Sequence, residues 1–330
     1  MLAFLMDLSI DIIRFLQTQL AFLTPVMRLI TFMGNEEFYL LIMPLLVWSV
    51  EYSLGLRLGV MLMVSGTLNT YFKVLLRRPR PYWVSSRILN LSEPMGSFGL
   101  PSGHSQNAAS VFGLLATAIP KKWLRIVTVI TIFLIAFSRL FLGVHSLADI
   151  LLGLAIGFLL LWVFMRIEAP VSAYFQRQTP LRQVLLSLIV SLALLFAGVL
   201  IIYLCQTTPI PPLWLENVQV AHPHEDIAPF SLDGLITTTA TLFGLAAGNV
   251  MVQSAGGYHA SAGKMWQHLT RFMIGIAGVL LIWKGLGDLF PDGMDLLGFS
   301  LRYLRYTLIG LWISGIAPLV FIKAKLAYRE

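Results

Sequence analysis

The sequence predicts an all-α fold, a polytopic transmembrane helix bundle of about nine spans. Three observations carry that reading. Of 330 residues, 57% are hydrophobic and only 12% charged, a balance that no water-soluble domain needs. The apolar residues fall in runs long enough to cross roughly 30 Å of hydrocarbon as helices. Lys and Arg gather at the ends of those runs, where a membrane-spanning chain tolerates them.

Taken in order, the runs place spans at about 37–52, 55–75, 105–119, 122–142, 147–166, 183–204, 231–252, 268–289 and 302–322. Residues 1–34 differ. Asp7, Asp11, Arg14 and Thr18 recur at helical spacing on one face, with Leu5, Ile12, Leu16 and Leu20 opposite, which predicts a helix lying in the membrane interface. A tenth span is the alternative. The N-terminus lacks the basic start, short apolar core and small-residue cleavage site of a secretory signal, so none is expected to be removed. The expected organisation is an interfacial region at 1–34, a membrane core at 35–205 and a C-terminal transmembrane extension at 206–330.

Charge sets the expected orientation. Arg57, Lys121, Lys122, Arg125, Arg166, Arg177, Arg182, Lys264, Arg271, Lys323, Lys325 and Arg329 all fall on one side of this topology. The opposite loops, 206–230 and 290–298, contain neither Lys nor Arg. The basic side is therefore expected to be cytoplasmic, with the C-terminus on it. Arg302 and Arg305 run against the rule. The net charge of +7 does not imply nucleic acid, because the basic residues form short clusters at helix ends rather than an aromatic-interleaved stripe. Lone Cys205 excludes a disulfide framework and a cysteine metal site.

A second breach of the charge rule is larger. Residues 73–87, KVLLRRPRPYWVSSR, fall on the outer side yet carry Lys73, Arg77, Arg78, Arg80 and Arg87. The same side receives Pro101-Ser102-Gly103-His104, Ser138-Arg139, and His145 with Asp149. Separated pieces of sequence thus converge on one membrane face. Lys73, Arg80 and Arg139 supply the charge that a phosphate's non-bridging oxygens require, the arginines as planar forks. Ser102 and the N–H groups of Gly103 and His104 stand where a helix begins, a position that favours anions, and Gly103 permits close backbone approach. His145 and Asp149, four apart, share a helical face, so the carboxylate can hold one ring nitrogen and leave the other free. Glu93 and Asp149 are the only acids among these segments, which predicts chemistry without a divalent metal or other cofactor. Singly, each piece has a plainer account: Ser146 to Asp149 fits a capping box, Ser102 an N-cap, and the basic segment a headgroup anchor.

Together, Lys73 with six residues before Arg80-Pro81, then Pro101 to His104, then Ser138-Arg139 with five residues before His145 and three more before Asp149, resemble the three-part signature of the type 2 phosphatidic acid phosphatase and vanadium haloperoxidase superfamily. The resemblance covers roughly residues 35–170 and implies a six-helix core. It implies that His145 forms a phosphohistidine and that Asp149 orients it. His104 would protonate the leaving oxygen and later draw a proton from water, with Lys73, Arg80, Ser102, Gly103 and Arg139 holding the phosphate.

The implied partner is an amphiphile in the bilayer: a lipid phosphate monoester or a polyprenyl diphosphate, such as a bacterial cell-wall carrier like undecaprenyl diphosphate. The implied place is a plasma or inner membrane, with the site on the periplasmic or extracellular face. Phosphoryl transfer to another lipid, a haloperoxidase, a non-catalytic transporter, and a bifunctional chain whose last three spans work separately stay open. Arg77, Arg78, Arg87, Tyr82 and Trp83 are expected to anchor their loop at the interface, with contact to a lipid headgroup as the alternative. His222, His224, Glu225 and Asp226 offer a metal clip, a lid or simply a solvated loop. Gly248 and Gly256-Gly257 are expected to allow close helix packing.

Overall fold

The computed structural model describes residues 2–93, 95–221, 227–290 and 293–329. It is all-helical. The elements are α1 (Leu2–Gln19), α2 (Thr24–Phe32), α3 (Glu36–Ser49), α4 (Tyr52–Leu76), α5 (Pro81–Val84), α6 (Gly103–Asn107), α7 (Gly113–Ala118), α8 (Lys122–Phe141), α9 (Leu147–Gln176) and α10 (Pro180–Cys205). There follow α11 (Pro212–Ala221), α12 (Asp233–Ser254), α13 (Met265–Leu280), α14 (Leu286–Leu289), α15 (Leu296–Leu311) and α16 (Ala317–Lys323). Wider π turns join α6 to α7, α13 to α14, and α15 to α16. Among the described residues, seven helices are long and apolar enough to cross a membrane, or eight if the bent pair of α2 and α3 counts as one span. The α6–α7 segment, expected as a span over 105–119, runs only from Gly103 to Ala118 and is too short for that measure.

The chain packs as two units, each assembled from separate stretches. One comprises Met1–Phe38, Leu68–Val163 and Gly198–Ser231; the other comprises Tyr39–Thr67, Phe164–Ala197 and Leu232–Glu330. The units therefore run across the linear boundaries at 34 and 205.

In the first unit, α1 keeps Asp7, Asp11, Arg14 and Thr18 exposed and turns Ser9, Ile13 and Leu16 inward. The apolar face joins a core of Tyr82, Trp83, Phe98, Phe141 and Val144. Gly143 makes the turn between α8 and α9, at φ +77°, where a Cβ would stand 2.4 Å from the Leu89 carbonyl. Gln17 clamps the same turn, donating to the carbonyls of Leu89 (2.8 Å) and Phe141 (3.3 Å). The loop expected after α10 instead contains α11, whose Val218 and Trp214 pack into this core. Asn217 donates to the Trp83 carbonyl at 2.9 Å.

In the second unit, α12 lies backbone to backbone against α15 and the π turn that follows it. A Cβ on Gly244 would stand 2.2 Å from the Thr307 carbonyl, and one on Gly248 would stand 2.2 Å from Ser314 Oγ. Small residues let two helices approach closely where lipid offers no hydrophobic drive to associate. Gly248 meets the packing expectation. Gly256 and Gly257 do not: they take φ of +95° and +80° and turn the chain out of α12. Arg271 is fully buried and donates to the carbonyls of Leu326 (2.8 Å), Trp48 (3.1 Å), Ala260 (2.6 Å) and Ala262. One guanidinium thus fastens the end of α3, the loop before α13 and the C-terminal strand of chain.

Gly244→Val should force α12 and α15 apart and lower the thermal unfolding midpoint in detergent, at a cost of about 1–3 kcal/mol from overpacking. Gly234→Ala, with no atom near the added methyl and a better helix former in place, should not lower the midpoint.

Candidate active site

All of Lys73, Arg80, Ser102, Gly103, His104, Arg139, His145 and Asp149 belong to the first unit. The local chain explains how each is placed. α4 carries Lys73 in its last turn and stops at Arg77, whose φ of +52° leaves the helical region. Pro81 occupies the first turn of α5, where a missing N–H costs nothing, so Arg80 is held as the extended residue just before it. Arg80 is 1% exposed. It donates to the carbonyls of Ser97 (2.7 Å), Val144 (3.0 Å) and Phe98 (3.4 Å). Ser97 Oγ accepts from both Lys73 Nζ (2.9 Å) and Arg80 Nη2 (3.1 Å), so one hydroxyl holds two cations together.

Ser102 caps α6 by accepting from the Ser105 N–H at 3.3 Å, and its own N–H donates to the Asp149 carbonyl at 2.9 Å. Two glycines on α9 make room for this helix start. A Cβ on Gly153 would stand 2.6 Å from the Ser102 carbonyl, and one on Gly157 would stand 2.4 Å from that of Gln106. Asn69 sits beside Gly103 and donates to Gln106 Oε1 at 2.9 Å. His104 Nε2 lies 2.8 Å from Asn35 Oδ1, and bare Gly34 lets the imidazole lie against the chain before α3.

Arg139, in the last turn of α8, is completely buried. Its Nη1 donates to Thr31 Oγ1 (2.6 Å) and Ser92 Oγ (3.4 Å), while Nε has no hydrogen-bond partner among the described residues. Its carbonyl accepts from the N–H groups of Val144 and His145, so the turn that presents His145 is built on Arg139 itself.

His145 is 1% exposed and joins the cations to a carboxylate. Nδ1 lies 3.4 Å from Asp149 Oδ2, and Nε2 lies 3.2 Å from Arg80 Nη1. A guanidinium can only donate, so Nε2 carries the lone pair and Nδ1 the proton. Burial pushes the imidazole well below its ordinary pKa, and the charges of Arg80, Arg139, Lys73 and His104 push the same way. The ring is therefore neutral at physiological pH, with its basic nitrogen facing the cations. Asp149 Oδ2 also accepts from the Ser146 N–H at 2.7 Å, while Ser146 Oγ accepts from the Asp149 N–H at 3.3 Å. The capping box is real, and the oxygen that closes it is the one facing His145.

Several residues near the cluster were not singled out by sequence: Ser97, Asn69, Asn35, Thr31 and the Gly153-x-x-x-Gly157 pair. The last carries a readable small-residue signal on an apolar helix. The others are ordinary polar residues in loops and helix ends. Arg77 is an anchor, donating to the carbonyls of Cys205 (3.0 Å) and Thr208 (2.6 Å) and lying over the rings of Phe98 and Phe230. Tyr82 and Trp83 anchor by full burial rather than at the interface, whereas Arg78 and Arg87 are exposed. The His222, His224, Glu225 and Asp226 cluster lies outside the described residues.

Residues 54–173 match the PAP2 superfamily, and residues 236–329 match the transmembrane extension of PAP2 superfamily phosphatases. The chain is 32% identical over 117 residues to lipid A 4'-phosphatase of Bacteroides thetaiotaomicron, covering 34% of this chain and 52% of that one. It is 32% identical to phosphatidylglycerophosphatase B of Bacillus subtilis, over 36% of this chain and 61% of the relative. A dihydrosphingosine 1-phosphate phosphatase of Saccharomyces cerevisiae is 32% identical over 40% of this chain and 36% of its own length. The chain thus spans between about a third and three fifths of these curated relatives. No solved structure matches it.

Arg77→Met should cost about 1–3 kcal/mol of stability through the carbonyls left without a donor. Its catalytic rate per folded molecule should stay within about twofold of wild type, whereas a headgroup contact would show as a raised KM.

Proposed function

This chain belongs to the PAP2 superfamily, and we propose that it is an integral-membrane, metal-independent phosphatase. Its substrates would be lipid phosphate monoesters or polyprenyl and other lipid diphosphates, hydrolysed through a phosphohistidine. The observation that carries the reading is the buried line Asp149–His145–Arg80, which supplies an oriented neutral imidazole beside a fixed cation.

In the first step the substrate phosphorus approaches His145 Nε2, and a phosphoryl oxygen takes over the Arg80 Nη1 donor. The N–P bond forms as the P–O bond to the lipid breaks, and His104 gives its proton to the departing oxygen. Asp149 holds the Nδ1 proton throughout and stabilises the positive charge that the ring acquires. Lys73, Arg80, Arg139 and the N–H groups at the start of α6 receive the charge that spreads over the three non-bridging oxygens. In the second step water attacks phosphorus, His104 takes its proton, the N–P bond breaks and inorganic phosphate leaves. These fixed cations occupy the role that a divalent ion fills in many phosphoryl-transfer sites.

A lipid is the fitting substrate because the site stands among apolar spans, so a tail can stay in the bilayer while the phosphate reaches the cations. The relatives named for lipid A, phosphatidylglycerophosphate and dihydrosphingosine 1-phosphate point to the same class. The distribution of Lys and Arg supports a site facing the periplasm or exterior and a C-terminus facing the cytoplasm.

Detergent-purified protein should release inorganic phosphate from a panel of lipid phosphates and diphosphates in excess EDTA, and His145→Ala should release none. Loss of release in EDTA would contradict the charge balance proposed here. Asp149→Asn should lower kcat by roughly 10²- to 10⁴-fold while leaving substrate affinity nearly intact. Because burial and the neighbouring cations lower the His145 pKa, the neutral nucleophile persists as pH falls. After correction for substrate ionisation, the His145-dependent acid limb of kcat/KM should lie below pH 6.5.

A further inference from the structure

The second unit holds a cavity of about 330 Å³, lined by Asp233, Phe290, Met294, Phe299, Arg302 and Arg305 among others. Its two arginines run against the charge rule, on the side of the loops 206–230 and 290–298 that contain neither Lys nor Arg. Arg302 and Arg305 lie about 9 and 13 Å along α15 from Leu296, at roughly 1.5 Å per residue. α15 opens one of the segments able to cross a membrane. A cation at that depth is costly and needs compensation from the fold or from a ligand.

The two arginines are not equally occupied. Arg302 is paired with Asp233, with Nη1 3.4 Å from Oδ1 and Nε donating to the Asp233 carbonyl at 3.3 Å. Arg305 has no such carboxylate within ion-pair distance among the described residues, and its buried Nε has no hydrogen-bond partner. It is held from one side by the ring of Tyr306, 5.2 Å from the guanidinium carbon, and bare Gly287 leaves room for Nη1 against α14. Around this polar pocket the surface is apolar. Leu289, Met294, Leu296 and Leu297 are 76%, 88%, 83% and 58% exposed. A partly buried socket whose described lining carries two arginines and one aspartate, ringed by exposed aliphatic side chains, has the chemistry of a receptor for an anionic amphiphile.

We propose that the C-terminal extension carries its own binding site for a phosphate-bearing lipid. Arg305 grips the phosphate, Arg302 assists, and the chains lie against Leu289, Met294, Leu296 and Leu297. Asp233 tempers the site by occupying Arg302. The site belongs to the second unit and takes part in no bond-breaking step.

The test uses full-length protein in neutral detergent carrying His145→Ala, so that the lipid is not consumed. Dihexanoyl phosphatidic acid is titrated in, and bound lipid is counted by native mass spectrometry. Adding Arg305→Gln should weaken one binding event at least tenfold, and Arg305→Lys should restore part of it. Asp233→Asn should tighten the same event several-fold, an opposite shift that mere loss of structure does not produce. Dihexanoyl phosphatidylcholine, with no net charge, should bind all variants alike. Displacement by millimolar inorganic phosphate would show that the phosphate group alone is read, and persistence would show that the lipid chains contribute. Unchanged phosphatidic acid binding in Arg305→Gln, or an equal loss of phosphatidylcholine, would overturn the proposal. Should Arg305→Gln fail to fold, the absence of tightening in Asp233→Asn would do so.

Discussion

Asp149 Oδ2 takes hydrogen bonds from two directions, the Ser146 N–H and the His145 ring, and the geometry of the cluster follows from that double duty. The first bond starts α9; the second fixes which nitrogen of His145 is bare. The Asp149 carbonyl, one bond further along the chain, accepts from Ser102 and so ties the start of α6 to the start of α9. A carboxylate buried this deeply would be expensive without donors. Each donor that stabilises it also positions a neighbour, so stability and arrangement are not separable here.

The cations are held on a different principle. Arg80 and Arg271, in different units, are both caged by backbone carbonyls. A carbonyl satisfies an N–H without cancelling the charge, whereas a carboxylate does both, as where Glu168 grips Arg57. Around Arg271 the caging serves the fold, because its carbonyls come from three separate stretches of chain. Around Arg80 it leaves a positive charge facing His145 Nε2. Arg139 goes further, since its Nε is left without a partner among the described residues.

Much of this was legible in sequence, and the limits have physical causes. The apolar runs reported the spans, since a helix in lipid leaves little freedom in composition. Lys73, Arg80, Ser102, His104, Arg139, His145 and Asp149 stood out because polar groups are costly at membrane depth and their spacing was informative. Ser97, Asn35 and Thr31 did not, because a hydroxyl or amide in a loop costs little and its partner is decided only by packing. Helix α11 was missed for a related reason. Its ten residues, including Pro212, read as loop, and burial of Trp214 and Val218 makes them helical. The glycines divided by geometry: Gly248 is a contact, whereas Gly256 and Gly257 are turns.

The central claim is that His145 becomes covalently phosphorylated, and a rapid-quench experiment tests it most directly. Protein would be mixed with a ³²P-labelled lipid phosphate, quenched within milliseconds and digested for peptide mapping. The account predicts a transient label on the peptide containing His145, stable to base and lost in acid, that is absent from His145→Ala and persists longer in His104→Ala. Hydrolysis with no label at any quench time, or hydrolysis retained by His145→Ala, would contradict it.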